Sequence, residues 1–476
     1  MKHFNFKKNS QYIYLMILIV ISPLFLDEGI CKGSVASPEL FFQDKRQSNL
    51  DTNSKKELDR AANQVLRGSL ELYKKEQYWS CARELIILLD YYSNYERLDE
   101  VVYYLAQCLF EEDLSTSAIR MYKYLLKKFP ESEFLPAVLV GLQKAYYLQD
   151  NHKMSLSIYF TILKQNISDQ ELLNAANYYA GLSHFYLKNY DMAINVLKKI
   201  ESHSEFYDCA LYTTALAYLK KSTVATAVDY FRKVISLPIV SGERRNVVDN
   251  ARLTLGYIYY ELKAYKPAAQ LFSSISDKHE NYQDALLALG WALIKLEDYQ
   301  NVIKYLEKLI KLYPESANAE EAYFLLGQSY IALNNYEEAI KSYQTIVDIY
   351  QDKVNLPNII KKVSNSLELE EDRVEKLKVK LLVEETKLLD VIAFENYGKN
   401  VPEHIVQEKK KIKNFTENLI STISSEKENL QLIQTNIYNL KKLAERRERR
   451  KDWSGYAEYG ISRAMFLKNM KTARGN

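Results

Sequence analysis

Apolar residues recur along most of the chain at the three- and four-residue spacings of helices that bury one face, and one short pattern keeps returning. Ala285-Leu-Leu-Ala-Leu-Gly290-Trp291 precedes Tyr299, Val302, Leu306 and Pro314, and Ala322-Tyr-Phe-Leu-Leu-Gly327-Gln328 precedes Tyr336, Ala339 and Tyr343. Each stretch holds a small residue where two helices of a pair must touch. Twelve positions on comes a second small or β-branched residue, and four beyond it a large apolar one expected to plug the groove to the next pair. The frame fits earlier segments: Ala106 with Ala118 and Tyr122, Gly181 with Ala193 and Leu197, Ala215 with Ala227 and Phe231, and Gly256 with Ala268 and Phe272. Weaker copies centre on Ser69 with Cys81 and Leu85, and on Gln143 with Ser155 and Tyr159. These anchors lie 34 to 41 residues apart. A helix pair of that size cannot bury its apolar face alone, so stacking must supply the core.

Residues 59–350 thereby resemble the tetratricopeptide repeat family. The resemblance implies an all-α fold, a superhelix of about eight helix pairs whose groove is lined by the first helix of each. On that frame Tyr178, Tyr212, Tyr257, Trp291 and Phe324 are candidate protein-binding residues of the groove. The competing reading is that curvature buries many of these aromatics between helices. The family's clamp for a peptide carboxylate uses Lys and Asn, which are absent here apart from Lys144, so a receptor for protein C-termini is disfavoured.

After Leu356-Pro357 the period changes. Ile360, Val363, Leu367, Val374, Leu377, Leu381, Leu388 and Val391 follow heptad spacing, with Glu370 and Glu384 interrupting at core positions. Tyr397-Gly398-Lys399-Asn400-Val401-Pro402 supplies turn chemistry. A second apolar run follows with Ile412, Leu419, Ile423, Leu430, Ile433, Ile437, Leu440 and Ala444. Two arms around one turn predict an antiparallel coiled-coil hairpin over 355–450; its rival is one continuous helix that dimerises in parallel. Residues 451–476 are left as a basic, aromatic tail. Arg446, Arg447, Arg449, Arg450, Trp453 and Tyr456 are its candidate docking residues, suited to an acidic partner or to peripheral contact with an anionic membrane surface. Against this stands the plainer reading that the aromatics fold back onto the repeats.

Charge and composition sharpen the picture. The 476 residues include only 13 Gly and 9 Pro, little punctuation for a β fold, and carry a net charge of +3. Residues 441–476 hold eleven Lys/Arg against four Asp/Glu and the first 36 hold four against two; subtracting both from the total leaves −6 for the body. An acidic body with a basic end does not suit a nucleic-acid binder.

The N-terminus reads as an export signal. Lys2, Lys7 and Lys8 precede an apolar run from Tyr12 to Leu26, shorter than the ~20 residues a spanning helix needs. Ser34-Val35-Ala36 then offers small residues for cleavage. Residues 1–36 are assigned as signal peptide and 37–58 as linker; the alternative is an inner-membrane anchor formed by residues 12–26. Ile30 before Cys31 argues against lipidation. Cys81, Cys108 and Cys209 match no disulfide framework and are expected as buried thiols.

Catalytic signatures are missing from the sequence: it has no phosphate-binding Gly loop, no paired-His zinc spacing, and its six His are scattered. No catalytic, cofactor or metal residue is assigned. The reading is a non-enzymatic protein–protein interaction scaffold. Exported repeat stacks of this kind are similar to envelope tetratricopeptide proteins of Gram-negative bacteria, which implies protein partners in the cell envelope and a place in the periplasm or on the periplasmic face of the outer membrane. Such proteins include components of outer-membrane assembly and of gliding-motility-type trans-envelope machinery. A reading of another class is a regulatory subunit or inhibitor that presents its hairpin to an enzyme. The signal assignment predicts a mature chain beginning at Ser37, and intact mass of protein from its native host checks it. Retention of residues 1–36, or an added lipid mass, contradicts it.

Overall fold

A computed structural model describes residues 52–474 except 93–94, 166, 315, 352–355, 398–402 and 450–452; the side chains of 52–58, 90–91, 350–351, 385–397, 403–406, 408–409, 446, 449 and 473–474 also lie outside it. The assigned leader, most of the linker and the Gly398–Pro402 turn therefore fall outside the described residues. Those described form helices and no strand. The chain divides into two compact units: one contains the repeats up to Phe206 with Ser366–Ile433, the other Tyr207–Asn365 with Gln434 onward.

In the first unit α1 (Thr52–Lys74) pairs with α2 (Tyr78–Tyr91) and α3 (Leu98–Glu111) with α4 (Ser115–Lys128). α5 (Leu135–Leu148) pairs with α6 (His152–Ile162) and α7 (Gln170–Tyr186) with α8 (Tyr190–Leu197). α1 starts seven residues ahead of the expected boundary at 59, because Lys55, Lys56, Glu57 and Leu58 are good helix formers that extend it. In the second unit the pairs are α9 (Tyr207–Lys220) with α10 (Val224–Ile235) and α11 (Gly242–Glu261) with α12 (Tyr265–Ser273). Then come α13 (Tyr282–Lys295) with α14 (Tyr299–Leu312), and α15 (Ala317–Ala332) with α16 (Tyr336–Gln351).

All eight pairs close through one turn. The residue that ends the first helix's last turn is left-handed, with φ between 53° and 63°, at Glu76, Asp113, Asp150, Lys188, Ser222, Lys263, Glu297 and Asn334. The next amide reaches back over the helix end, as from Leu114 to the Leu109 carbonyl and from Asn335 to that of Tyr330, both at 2.8 Å. This double-back satisfies carbonyls that would otherwise be orphaned at the helix end. None of the eight is Gly, so every turn carries the steric cost of a Cβ in that region, about 1 kcal/mol.

Within pairs, the small residues do what their spacing predicts. A Cβ on Gly181, Gly256, Gly290 or Gly327 would lie 2.4–2.6 Å from Leu197, Phe272, Leu306 or Tyr343 respectively. The large residue thus seats on the small residue of its own pair. Only some also plug the groove to the following pair, as Tyr122 does against Gly141. Gln143, at the small position of the third pair, is fully buried and donates to the Ala176 carbonyl at 2.9 Å, so a polar link replaces close approach there.

The long helices α17 (Leu356–Tyr397) and α18 (Glu403–Arg449) follow, then α19 (Trp453–Arg474). In the first unit Leu377, Leu381, Leu419 and Ile423 form one cluster with Trp79 of α2. Leu381 and Leu419 stand equally far from residues 398–402, as facing residues of antiparallel arms do. Leu382, off the heptad positions, is fully buried in the core of the first repeats. Two adjacent faces of α17 are therefore used, one for α18 and one for the repeats. In the second unit α19 is not a loose tail. Ala457, Gly460 and Ala464 are buried, and Gly460 meets the Tyr343 ring of α16.

Replacing Gly290 by Leu is expected to cost about 2–4 kcal/mol, since a branched side chain must displace Leu306 from a filled interior. Gly68, which has open space around its Cα, serves as control: Gly68→Ala should stabilise α1 by about 0.5–1 kcal/mol. Urea unfolding followed by circular dichroism separates the two, and equal midpoints contradict the register of the pairs.

Candidate protein-interaction surface

The aromatic residues assigned to the groove fall into two groups. Tyr178, Tyr212 and Tyr257 are buried. Tyr212 lies within 3.3 Å of Thr254 Oγ1, and burial pushes its phenol up to about 12. Tyr257 packs edge-on against Phe272 of its own pair, with ring centres 5.2 Å apart. Trp291 and Phe324 are half-buried. The Trp291 indole donates to Glu321 on the next first helix at 2.6 Å.

A recurrent junction explains several of these positions. The aromatic three residues before an anchor stacks on an aromatic that opens the next first helix: Tyr103 on Phe134 at 5.0 Å, Tyr178 on Phe206 at 5.1 Å, and Phe324 on Trp453 at 4.9 Å. Such pairs add about 0.5–1.5 kcal/mol beyond the area they bury. Tyr178 and Phe324 thus serve as joints between repeats, and Trp453 is Phe324's partner within the chain.

A second set of contacts was not anticipated from sequence. Acidic residues in the first turn of the first helices reach forward to the following repeat. Asp99 accepts from Ser132 Oγ at 2.5 Å, Glu171 from Ser204 Oγ at 2.7 Å, Asp208 from Arg244 Nε at 3.1 Å, and Asp284 from Asn318 Nδ2 at 2.8 Å. Negative charge also suits a helix N-terminus. Burial works against the charged form of Glu171, but the bonds from Ser204, Asn174 and the Glu205 amide outweigh it and hold its carboxyl below the usual range.

The long helices supply cations to the same ladder. Lys442 Nζ sits 2.9 Å from buried Asp284, and Arg447 donates to buried Glu320 at 2.8 and 3.1 Å. In the first unit Lys378 donates to the Glu112 carbonyl at 3.0 Å, beside the left-handed Asp113; burial and nearby Lys427 push its ammonium down. The acidic body and basic end seen in the sequence are therefore partly matched to each other.

Of the docking candidates, Arg447 and Trp453 are engaged with the repeats, whereas Tyr456 is 52% exposed. Arg450 and the side chains of Arg446 and Arg449 lie outside the described residues. Of the residues that sequence reasoning missed, Asp284, Glu320, Lys442 and Leu382, only Glu320 left a faint signal: an acid seven before the anchor, as at Asp99, Asp208 and Asp249, with Asp284 one position off it.

The described residues contain no group of three or more His, Cys, Asp or Glu placed to hold a metal ion, and no helix long and apolar enough to cross a membrane. His184 is buried with neither ring nitrogen hydrogen-bonded, and that burial pushes its imidazole down. Cys81 and Cys108 are buried against each other, and Cys209 is half-buried.

The pairing of Arg447 with Glu320 generates a test. Charge-assisted bonds to a buried carboxylate contribute about 1.5–3 kcal/mol, so Arg447→Met should destabilise by that order. In a double-mutant cycle with Glu320→Gln the two losses should fall short of additivity by at least about 0.5 kcal/mol in urea unfolding. Strict additivity means that the end of α18 is not held there.

Comparison with known proteins agrees with the pair architecture. Two tetratricopeptide repeat models match, at residues 100–132 and 287–353, which span the α3–α4 pair and most of α13–α16. No curated protein matches the chain. Among solved structures, a tetratricopeptide repeat protein from Parabacteroides merdae is 16% identical over 52% of this chain and 91% of its own, with a TM-score of 0.37. The C-terminal part of a repeat-containing protein from Cytophaga hutchinsonii is 18% identical over 51% and 93%, with 0.42. The apo form of RapI is 15% identical over 76% and 99%, with 0.45. With the motif in both matched stretches, the same turn in all eight pairs and the small-to-large contact in four of them, the chain is a tetratricopeptide repeat protein.

Proposed function

We propose that this protein is a non-enzymatic scaffold of the bacterial cell envelope, exported to the periplasm, where it holds partner proteins on its repeats and its long helices. Tetratricopeptide repeat proteins generally bind proteins and do no chemistry of their own. The observation that carries the reading is the repetition itself. Acidic residues of four first helices link each to the following repeat, so these polar groups serve the stack itself. The export signal read from residues 1–36 supports the periplasmic setting. A role within outer-membrane assembly or a gliding-type trans-envelope complex is the narrower form of this proposal.

The reading as an inhibitor that extends its hairpin towards an enzyme fits less well. Lys378 and fully buried Leu382 hold α17 against the first repeats, so much of the hairpin is part of the body.

Affinity capture of the tagged full chain from a solubilised envelope fraction, after crosslinking in cells, tests the proposal. One or a few envelope proteins should be recovered in near-stoichiometric amount. Recovery of cytosolic proteins alone, or of an enzyme whose activity the protein abolishes, contradicts it.

A further inference from the structure

Each joint between repeats sets a second helix against the next first helix, and one place in it takes a small residue from each. The register is visible at α6 and α7. Tyr159 donates to Asn177 at 2.8 Å, and Ser155, one turn earlier on α6, meets Ser183, further along α7, with hydroxyl oxygens 3.0 Å apart. The two helices therefore run in opposite directions. The facing residues stand twelve after one anchor, Gln143, and two after the next, Gly181. Tyr122 against Gly141 sets the same register at α4 and α5, which puts Ala118 opposite Ala145. All four of these small residues are fully buried.

At the first joint the same two positions carry Cys81 of α2, twelve after Ser69, and Cys108 of α3, two after Ala106. Both are fully buried in the core of the first repeats, and their thiols hydrogen-bond to each other. They are free thiols here, as is half-buried Cys209 in α9. Sulfur thus stands at the joint where the equivalent Ser155 and Ser183 oxygens touch. A disulfide joins side chains that point at each other across about 4.4–6.8 Å between Cα atoms. A joint at which two γ atoms hydrogen-bond points them in that way.

We infer that Cys81 and Cys108 are joined by a disulfide in the exported protein, which fastens the first helix pair to the second. The inference rests on the export reading, since a compartment that keeps thiols reduced would leave both free. The oxidant is the disulfide of a thiol oxidoreductase. One cysteine loses its proton and attacks a sulfur of that disulfide, forming a mixed disulfide and releasing one oxidant thiolate. The second cysteine, also deprotonated, attacks the mixed disulfide, forms the Cys81–Cys108 bond and releases the other thiolate. Two thiols are oxidised by two electrons, and the oxidant's disulfide becomes two thiols that take up the two protons. The hydrogen bond with Cys81, together with burial, pushes the Cys108 thiol up. The reactive thiolate is thus suppressed once the repeats close, and exchange belongs to the interval before they do.

Protein from the native host, and full chain refolded from urea in mixed oxidised and reduced glutathione, are each alkylated, digested with trypsin without reduction and weighed. In both, residues 76–83 should appear linked to 98–120, two hydrogens lighter than the separate peptides. Reduction should lower the urea midpoint of the refolded chain by about 1 M. It should leave that of Cys81→Ser/Cys108→Ser unchanged. Circular dichroism should show this variant folded, because two serines here take the arrangement of Ser155 and Ser183. Absence of the link in glutathione, a link through Cys209 instead, or an equal shift in the serine variant overturns this inference alone. A link in glutathione with free thiols in protein from the native host overturns it together with the export reading.

Discussion

The structure depends on one steric relation: a helix can approach its neighbour closely only where a small residue faces a large one. At Gly181, Gly256, Gly290 and Gly327 the space a Cβ would need is filled by Leu197, Phe272, Leu306 and Tyr343. Close-packed interiors admit little adjustment, so this contact sets helix separation and register together. Once one pair is placed, Tyr122 against Gly141 shows how the next is aligned from it. The aromatic joints and acidic links then act on helices already in register.

Those links do more for specificity than for raw stability. A buried carboxylate such as Asp284 or Glu320 loses its hydration, and a cation partner roughly offsets that loss. Its value lies in direction. Asp284 is satisfied by Asn318 from the next repeat and Lys442 from α18 together, so a shifted helix would leave charge buried and unmatched. Lys378 at the carbonyl of Glu112 acts similarly in the first unit.

The repeats were legible because their requirement is local: a small residue, then another, then a large one, at fixed spacing in one short stretch of chain. The second long arm was legible for the same reason, and Leu419, Ile423, Leu430 and Ile437 are buried as their heptad spacing predicts. What escaped was contact between distant segments. Leu382 lies off the heptad and reads as a surface residue until the repeats cover it. Gly460 read as tail because the two long helices separate it from the pair it continues, whereas Trp453 follows the reading in which the tail aromatics fold back onto the repeats. The acid ladder is faint in sequence since its partners vary among Ser, Asn, Arg and Lys. Tyr178 and Tyr257 looked like groove anchors because helical spacing reports which face a residue is on, not what lies above it.

The position of α17 and α18 between α16 and α19 makes one contact of the array long-range in sequence. Most contacts in a repeat array are short-range and form quickly. The seating of Gly460 on Tyr343 is different, because both long helices lie between them in the chain. Closing a flexible segment of that length carries an entropic penalty that grows with its logarithm. A hairpin folds that segment back on itself and returns its end to where it started, so much of the penalty is met before α19 arrives. The contact of Gly460 with Tyr343 is thus the one whose closure entropy depends on the two long helices being paired.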